Sequence, residues 1–357
     1  MASSPLNVPP ETVKRILGFR DSPIYLYIKP DAKSDYWNHF SKELKVNVDD
    51  NKVHISGNSG FYVPPRPKYF ERFQRSVRSP IHATKVLFSI VKSIMRSPIR
   101  TFYEKAFNLV MGSEPVHSKY LINHKAMTDV RGVLSTTAEI KRHYKSWSGY
   151  SSMHNVINQY YYSNILRNFA TPEKVVKILE IGGGSGNLAS IFHHDWHTKQ
   201  IFLIDLPESI VIAATFLASI FPQAKIDLPN EILQSGISED ADFVFLTPNQ
   251  IELVPENSID LVINCHSFQE MTHSQIAAYF ILVNKVVKDQ GLFFCANRIE
   301  KFPFGADIFL SNQLAPANRF SEYPWNIEYE DLVYETSQLH RLVQDDNVAI
   351  RLQRIKK

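Results

Sequence analysis

From residue 175 onward the chain alternates short apolar runs with longer stretches of helical spacing. Residues 175–179 (Val-Val-Lys-Ile-Leu), 201–204, 243–246, 259–265 and 292–296 are dense in branched and aromatic side chains, the pattern of strands buried on both faces. Between them, residues 188–196, 210–221 and 276–287 have the length and apolar period of helices. Pro207 stands where its fixed φ suits a first helical turn. Alternating strands and helices predict an α/β domain on a parallel sheet. The tail, 339–343 and 348–355 across Asp345-Asp346-Asn347, predicts an antiparallel hairpin that closes it.

Upstream that rhythm is absent. Residues 35–44 have helical spacing, and 45–56 read as a hairpin across Asp49-Asp50-Asn51. Residues 66–105 carry ten Lys or Arg against two Glu, with Val86, Leu87, Ile90, Val91 and Ile94 at helical spacing. Three readings fit this stretch: a solvated helix face packed on the rest of the chain, a binding face for a phosphate-bearing acceptor, and a basic amphipathic helix at an anionic membrane surface. An aromatic-rich helical region follows, through Tyr144, Trp147, Tyr150 and Tyr160-Tyr161-Tyr162, close enough to the first strand to fold back over the strand ends. These patterns predict a mainly helical N-terminal cap over 1–145 that shapes an acceptor site, and an α/β domain over 146–357.

The candidate chemistry begins at the end of the first strand, where Glu180 precedes Gly182, Gly183, Gly184 and Gly186. Glycines there let the chain turn sharply and approach a ligand with its backbone. Asp205 ends the second strand about 20 residues past the turn, where a carboxylate accepts hydrogen bonds from both hydroxyls of a ribose. Gly184-Ser185-Gly186-Asn187-Leu188-Ala189 also fits the dinucleotide fingerprint, so the ribose belongs to S-adenosylmethionine or to NAD(P). Glu180 favours the former, because its charge repels a pyrophosphate and attracts a methionyl ammonium. Strand count agrees: five strand–helix units closed by a hairpin match a Rossmann-like seven-stranded methyltransferase sheet better than a six-stranded, all-parallel dinucleotide sheet. After the third strand, Thr247-Pro248-Asn249-Gln250 occupies the place where a loop meets the adenine edge, which makes Asn249 and Gln250 candidate cofactor contacts.

Residues after the fourth strand border the switch in strand order and face the group being transferred. They are Asn264 and Ser267 on the cofactor side, with His266 and Glu270 toward the acceptor. Methyl transfer to a hydroxyl is an in-line displacement at carbon, and it needs the oxygen aligned and its proton removed. His266 and Glu270 are the two bases at hand, spaced to share one face of a helical turn; the other reading of Glu270 is an ion pair with a basic residue. A divalent ion on His266, Glu270 and His273 is a lesser alternative. The cluster His193, His194, Asp195 and His197 lies past the first helix, away from the strand tips, so no metal is expected there.

Composition narrows the picture slightly. A formal net charge of +3 does not suggest nucleic acid as a partner. The two cysteines, Cys265 and Cys295, each end an apolar run and read as reduced core residues, in keeping with a cytoplasmic setting. The N-terminal residues show no secretory pattern, and no apolar run approaches 18 residues, so neither export nor a membrane span is expected.

Three segments together carry a family resemblance: Leu179-Glu180-Ile181-Gly182-Gly183-Gly184-Ser185-Gly186, Ile204-Asp205-Leu206-Pro207-Glu208, and Asp260-Leu261-Val262-Ile263-Asn264 running into Ser267-Phe268-Gln269-Glu270-Met271. With Asn297, Tyr323-Pro324-Trp325 and Asp35-Tyr36-Trp37, they resemble the bacterial sugar O-methyltransferases of the class I S-adenosylmethionine-dependent fold. The glycine motif is shared by many methyltransferases; the other two are more specific. The resemblance implies methyl transfer to a sugar hydroxyl, in surface-polysaccharide or glycoconjugate synthesis, with Asp205 and Leu206 at the cofactor. It also implies Glu270 rather than His266 as the base, since histidine is not fixed at the latter position. The rival enzyme class is an NAD(P)-dependent oxidoreductase or epimerase, which would need a hydride-transfer constellation after the fourth strand. The non-enzyme rival is a binding protein on the same fold, against which the intact Glu180, glycines and Asp205 argue.

Overall fold

A computed structural model of the chain describes residues 6–27, 45–49, 52–56, 153–301, 318–336 and 348–357. The chain divides into two compact units, one of Met1–Tyr62 with Asn158–Lys357 and one of Val63–Ile157. The described elements begin with β1 (Leu6–Asn7), α1 (Pro10–Arg20), α2 (Pro23–Leu26), β2 (Lys45–Asp49), β3 (Lys52–Ser56) and α3 (Met153–Arg167). The central part comprises β4 (Lys177–Ile181), α4 (Asn187–Asp195), β5 (Gln200–Ile204), α5 (Pro207–Ile220), β6 (Ile226–Asp227), α6 (Pro229–Ser235) and β7 (Phe243–Leu246). It continues through β8 (Ile259–Cys265), α7 (His273–Val286), β9 (Val287–Arg298), β10 (Glu300–Lys301), β11 (Asn318–Arg319), β12 (Glu330–Thr336) and β13 (Val348–Arg354).

The apolar runs pair as their burial requires. Eight strands form one sheet in the order β12-β13-β9-β8-β4-β5-β7-β6, and only β13 runs against its neighbours. This is the α/β Rossmann-like methyltransferase fold: a seven-stranded mixed sheet, here with the two-residue β6 added at one edge. In β4, β5 and β7 almost every residue is buried, because helices cover both faces of the parallel strands. The strand order reverses between β4 and β8, which opens a crevice at their carboxyl ends.

α5 explains the first stretch of chain. Its residues Ser209 to Ala218 are apolar almost all round and all are buried, so the helix needs cover on two sides. The sheet supplies one, and β1 with α1 supplies the other. α1 turns Val13, Ile16 and Phe19 inward at helical spacing. Arg15 fixes the layer by a forked pair to Glu231, at 2.7 and 2.6 Å, and by a further bond to the Ile226 carbonyl. Most of the expected 1–145 cap, including residues 35–44 and the basic stretch 66–105, lies outside the described residues. The expected hairpin is present as β2 antiparallel to β3, with β1 added on the far side of β3.

At the other edge one expectation needs correction. β13 forms as expected, but its partner is β12, Glu330–Thr336, rather than 339–343, which lies outside the described residues. A register shift between Asp331 and Val333 breaks the two-residue alternation of β12, so its sequence does not read as a strand. Between α7 and this edge sits an aromatic cluster. Phe280 meets Phe293 at 5.3 Å and Trp325 at 5.1 Å between ring centres, and Phe320 meets Trp325 at 5.1 Å. Phe293, in the middle of β9, is almost fully buried there. Phe293→Ala should therefore cost about 3–5 kcal/mol, read as a lower urea midpoint with an unchanged slope.

Candidate functional site

Where β4 ends, the backbone turns through Gly182, with φ at +74°, and its N–H donates to the Ile204 carbonyl at 2.8 Å. No side chain fits at that position: a Cβ there would lie 2.2 Å from Ser267 Oγ. The loops after β4 and β8 thus press together, and a methyl group would force them apart. Gly183, Gly184 and Gly186 complete the turn, with Gly186 packed on Leu217 of α5.

Two carboxyl groups lie beneath this turn. Glu180 is only 4% exposed, and its Oε2 has no hydrogen-bond partner. Burial holds its carboxyl well above the usual range, the nearby charge of Asp205 adds to the effect, and an N–H of Ala189 opposes it. Asp205 accepts from Gly184 N–H at 2.7 Å and from Leu206 N–H at 2.7 Å, one bond on each oxygen. Burial raises its carboxyl to about 6 despite those bonds. The Ser209 hydroxyl also bonds this carboxylate, which leaves it acceptor capacity for a further hydroxyl. Asn187, at the start of α4, offers another buried acceptor without a partner, its Oδ1, while its Nδ2 donates to Ser185 Oγ.

Two adjacent acids with raised pKa values and unpartnered acceptor atoms suit a ligand that brings positive charge and hydrogen-bond donors. The ammonium and ribose hydroxyls of S-adenosylmethionine are such groups, and the glycine turn leaves the space for a backbone approach. Glu180 and Asp205, beneath the glycine turn, are the residues that could hold such a cofactor.

The remaining candidates fall differently. Asn264 is fully buried: its Nδ2 donates to the Ile181 carbonyl at 3.0 Å, and its Oδ1 accepts from Asn297 Nδ2 at 2.8 Å. Ser267 Oγ donates to the same carbonyl at 3.1 Å. Both fasten the loop after β8 to the end of β4. Gln250 turns inward: its Nε2 donates to the Pro229 carbonyl at 2.8 Å and its Oε1 accepts from Thr247, so it shapes its own loop. Asn249 Nδ2 donates to the Tyr27 carbonyl at 3.0 Å, which ties the loop after β7 to the chain beyond α1.

His266 and Glu270 do not stand on one helical turn. His266 has φ at +62°, outside the helical region, and its Nε2 lies 2.6 Å from the Tyr162 hydroxyl. Glu270 pairs with Lys301 Nζ at 3.3 Å, with both side chains largely buried. His273 pairs with Glu322 at 3.4 Å. Among the described residues no three His, Cys, Asp or Glu side chains are grouped to hold a metal ion. His193 packs between Phe221 and Phe243, and that burial lowers its pKa. Cys265 and Cys295 are free thiols on paired strands.

Several residues of this site carry no motif in the sequence. Tyr162 is fully buried beside His266, and burial keeps its phenol protonated. Lys301 and Asn318 come from the β10–β11 pair; Asn318 Nδ2 donates to the Phe268 and Met271 carbonyls, each at 2.9 Å. Gln269 joins the network, its Oε1 accepting from Arg298 N–H at 2.9 Å. A lone lysine among charged neighbours and a tyrosine in an aromatic run offer no signal by themselves. The Tyr160-Tyr161-Tyr162 position just ahead of the first strand was the one hint available.

No protein-family model and no curated protein sequence matches the chain. Solved structures do resemble it. A Mesorhizobium loti S-adenosylmethionine-dependent methyltransferase has 13% identity and a TM-score of 0.36, over 54% of this chain and 96% of its own. The Haemonchus contortus phosphoethanolamine N-methyltransferase 2, in complex with S-adenosyl-L-methionine, has 13% identity and a TM-score of 0.36, over 55% of this chain and 52% of its own. The [4+2]-cyclase SpnF has 15% identity and a TM-score of 0.35, over 55% of this chain and 81% of its own. Similarity at this level bears on the fold alone, and a fold names no reaction.

The acid pair has a signature in the ligand-free protein. Burial raises Asp205 from the ordinary aspartate value of 3.8 to about 6, so the folded state binds more protons than the unfolded state between those values. Its contribution to stability is present below 3.8 and is lost as pH rises through 6. Unfolding midpoints at pH 4 and pH 7 should show a smaller decline in Asp205→Asn than in the wild type. Parallel declines would remove Asp205 from this buried role.

Proposed function

We propose that this chain is an S-adenosylmethionine-dependent O-methyltransferase whose acceptor is a sugar hydroxyl. The observation that carries the reading is the Glu180 carboxyl, buried with an unpartnered oxygen next to Asp205 under the glycine turn. A methionyl ammonium answers that unmet demand for positive charge, and a ribose diol suits Asp205. A dinucleotide would bring a pyrophosphate toward the same acids, which disfavours the oxidoreductase alternative. Bound S-adenosylmethionine supplies a methyl group activated by the positive sulfur that carries it.

The protein's own tasks are to hold the acceptor oxygen in line and to take its proton. His266 suits the second task. A neutral imidazole positioned against the Tyr162 hydroxyl is the kind of group that accepts an acceptor's proton. Glu270 is committed to Lys301 and forms part of the wall. The sugar acceptor, in surface polysaccharide or glycoconjugate precursors, is supported by the motif resemblance in the sequence. A cap over 1–145 that shapes the acceptor site, and contact of residues 66–105 with an anionic membrane, belong to the same proposal. Among the described residues no helix is long and apolar enough to cross a membrane.

Calorimetric titration tests the cofactor. S-adenosylhomocysteine should bind and NAD should not, and Asp205→Ala should weaken binding by about 1.5–3 kcal/mol. Binding of NAD alone would end the reading. Transfer of a labelled methyl group to a panel of free, nucleotide-linked and lipid-linked sugars tests the acceptor. In that assay His266→Asn should lower turnover by a factor of about 10². Glu270→Gln takes the charge from the partner of a buried lysine and should instead lower stability, by about 3–5 kcal/mol. A large turnover loss confined to a stably folded Glu270→Gln would transfer the base to Glu270.

A further inference from the structure

We propose that the N-terminal segment belongs to the cofactor site, as a strap across the carboxyl ends of β5 and β7 that stacks the Tyr27 ring on the adenine. The proposal rests on the cofactor reading above and adds to it a binding element that no glycine motif or acid motif marks.

The root of the strap is rigid. Phe19 is fully buried, and Arg15 is forked onto Glu231 beyond β6. From there the chain runs toward the strand ends. Phe19 meets Tyr25 edge-on, with ring centres 5.5 Å apart, and Tyr25 lies near enough to Glu208 for that carboxylate to add to the burial that raises its phenol to about 12. Glu208 stands in the first turn of α5, three residues past Asp205. Two residues after Tyr25, Asn249 Nδ2 clasps the Tyr27 carbonyl at 3.0 Å. Asn249 belongs to the Pro248–Leu253 turn that follows β7. The strap is thus fixed at one point beyond β5 and at another beyond β7.

Its tip is unlike the rest of the segment. No α2 residue is fully buried, and Leu26 and Tyr27 at its end are 79% and 64% exposed. Two large apolar side chains in succession on a firmly tethered backbone leave apolar area without cover. A ribose held on Asp205 gives that area an occupant. With the ribose on Asp205 at the carboxyl end of β5, the base would fall within reach of the loop after β7, the strand paired with β5. Tyr27 is clasped to that loop. An aromatic ring whose backbone is already fixed gives up little entropy on stacking against a flat base.

The test compares S-adenosylhomocysteine affinity, by calorimetry, in the wild type, Tyr27→Ala, Tyr27→Phe and Tyr334→Ala, the last an exposed tyrosine at the opposite edge of the sheet. Tyr27→Ala should bind roughly fivefold or more weakly, the low end for loss of one base–aromatic stack, while Tyr27→Phe and Tyr334→Ala bind as the wild type. Adenosine alone, used as a second probe, should show the same loss in Tyr27→Ala, which locates the effect at the base. Wild-type affinity in a Tyr27→Ala protein with an unchanged unfolding midpoint would overturn the strap and leave the cofactor reading intact. Failure of the wild type itself to bind S-adenosylhomocysteine would overturn both.

Discussion

The site turns on a carboxyl group buried without full compensation. Glu180 sits within a central parallel strand, where helices on both faces exclude water, and one of its oxygens has no partner. A second acid, Asp205, ends the neighbouring strand and raises the cost of ionising the first. A protein keeps two such groups together only where something offsets the cost, and a cationic ligand with hydroxyl donors does so. The glycine turn serves the same end. By letting the loops after β4 and β8 press together at Gly182 and Ser267, it closes the floor of the crevice over the acids.

Around that floor buried amides hold the structure, beside the Glu270–Lys301 pair. Asn264, Asn297, Gln269 and Asn318 form a buried set of hydrogen bonds that locks the loop after β8 to β4, β9 and β11. Satisfied networks of this kind fix one conformation, because any rearrangement leaves a buried donor or acceptor unmet. His266 adopts a left-handed backbone at this loop, a conformation that persists only where the surroundings hold it. The loop is therefore set in place ahead of any ligand, which suits the proposed in-line transfer.

Much of the fold was legible in the sequence because parallel strands announce themselves. β5 and β7 are nearly continuous apolar runs, and Glu180 with the glycines at the end of β4 and Asp205 at the end of β5 stand in a recognisable order. What stayed hidden depends on three-dimensional context. β12 is an exposed edge strand with a register shift, so no alternation marks it. Asn264 and Gln250 read as ligand contacts from their places after the fourth and third strands; in the structure both bond neighbouring protein groups. Glu270 reads either as a base or as half of an ion pair, and only the fold supplies the partner, Lys301. The helix at 210–221 was legible, yet nothing in its sequence or in α1 declares that α1 covers it.

Proton release on ligand binding tests the central claim most directly. Titration of S-adenosylhomocysteine into the protein at pH 6, in two buffers of different ionisation enthalpy, counts the protons exchanged. If the buried acids await a cation, binding drives Glu180 and Asp205 toward their charged forms, and the complex releases protons to the buffer; Asp205→Asn releases fewer. Binding with no net release, or with uptake, would contradict the view that an unpaired buried acid pair organises this site.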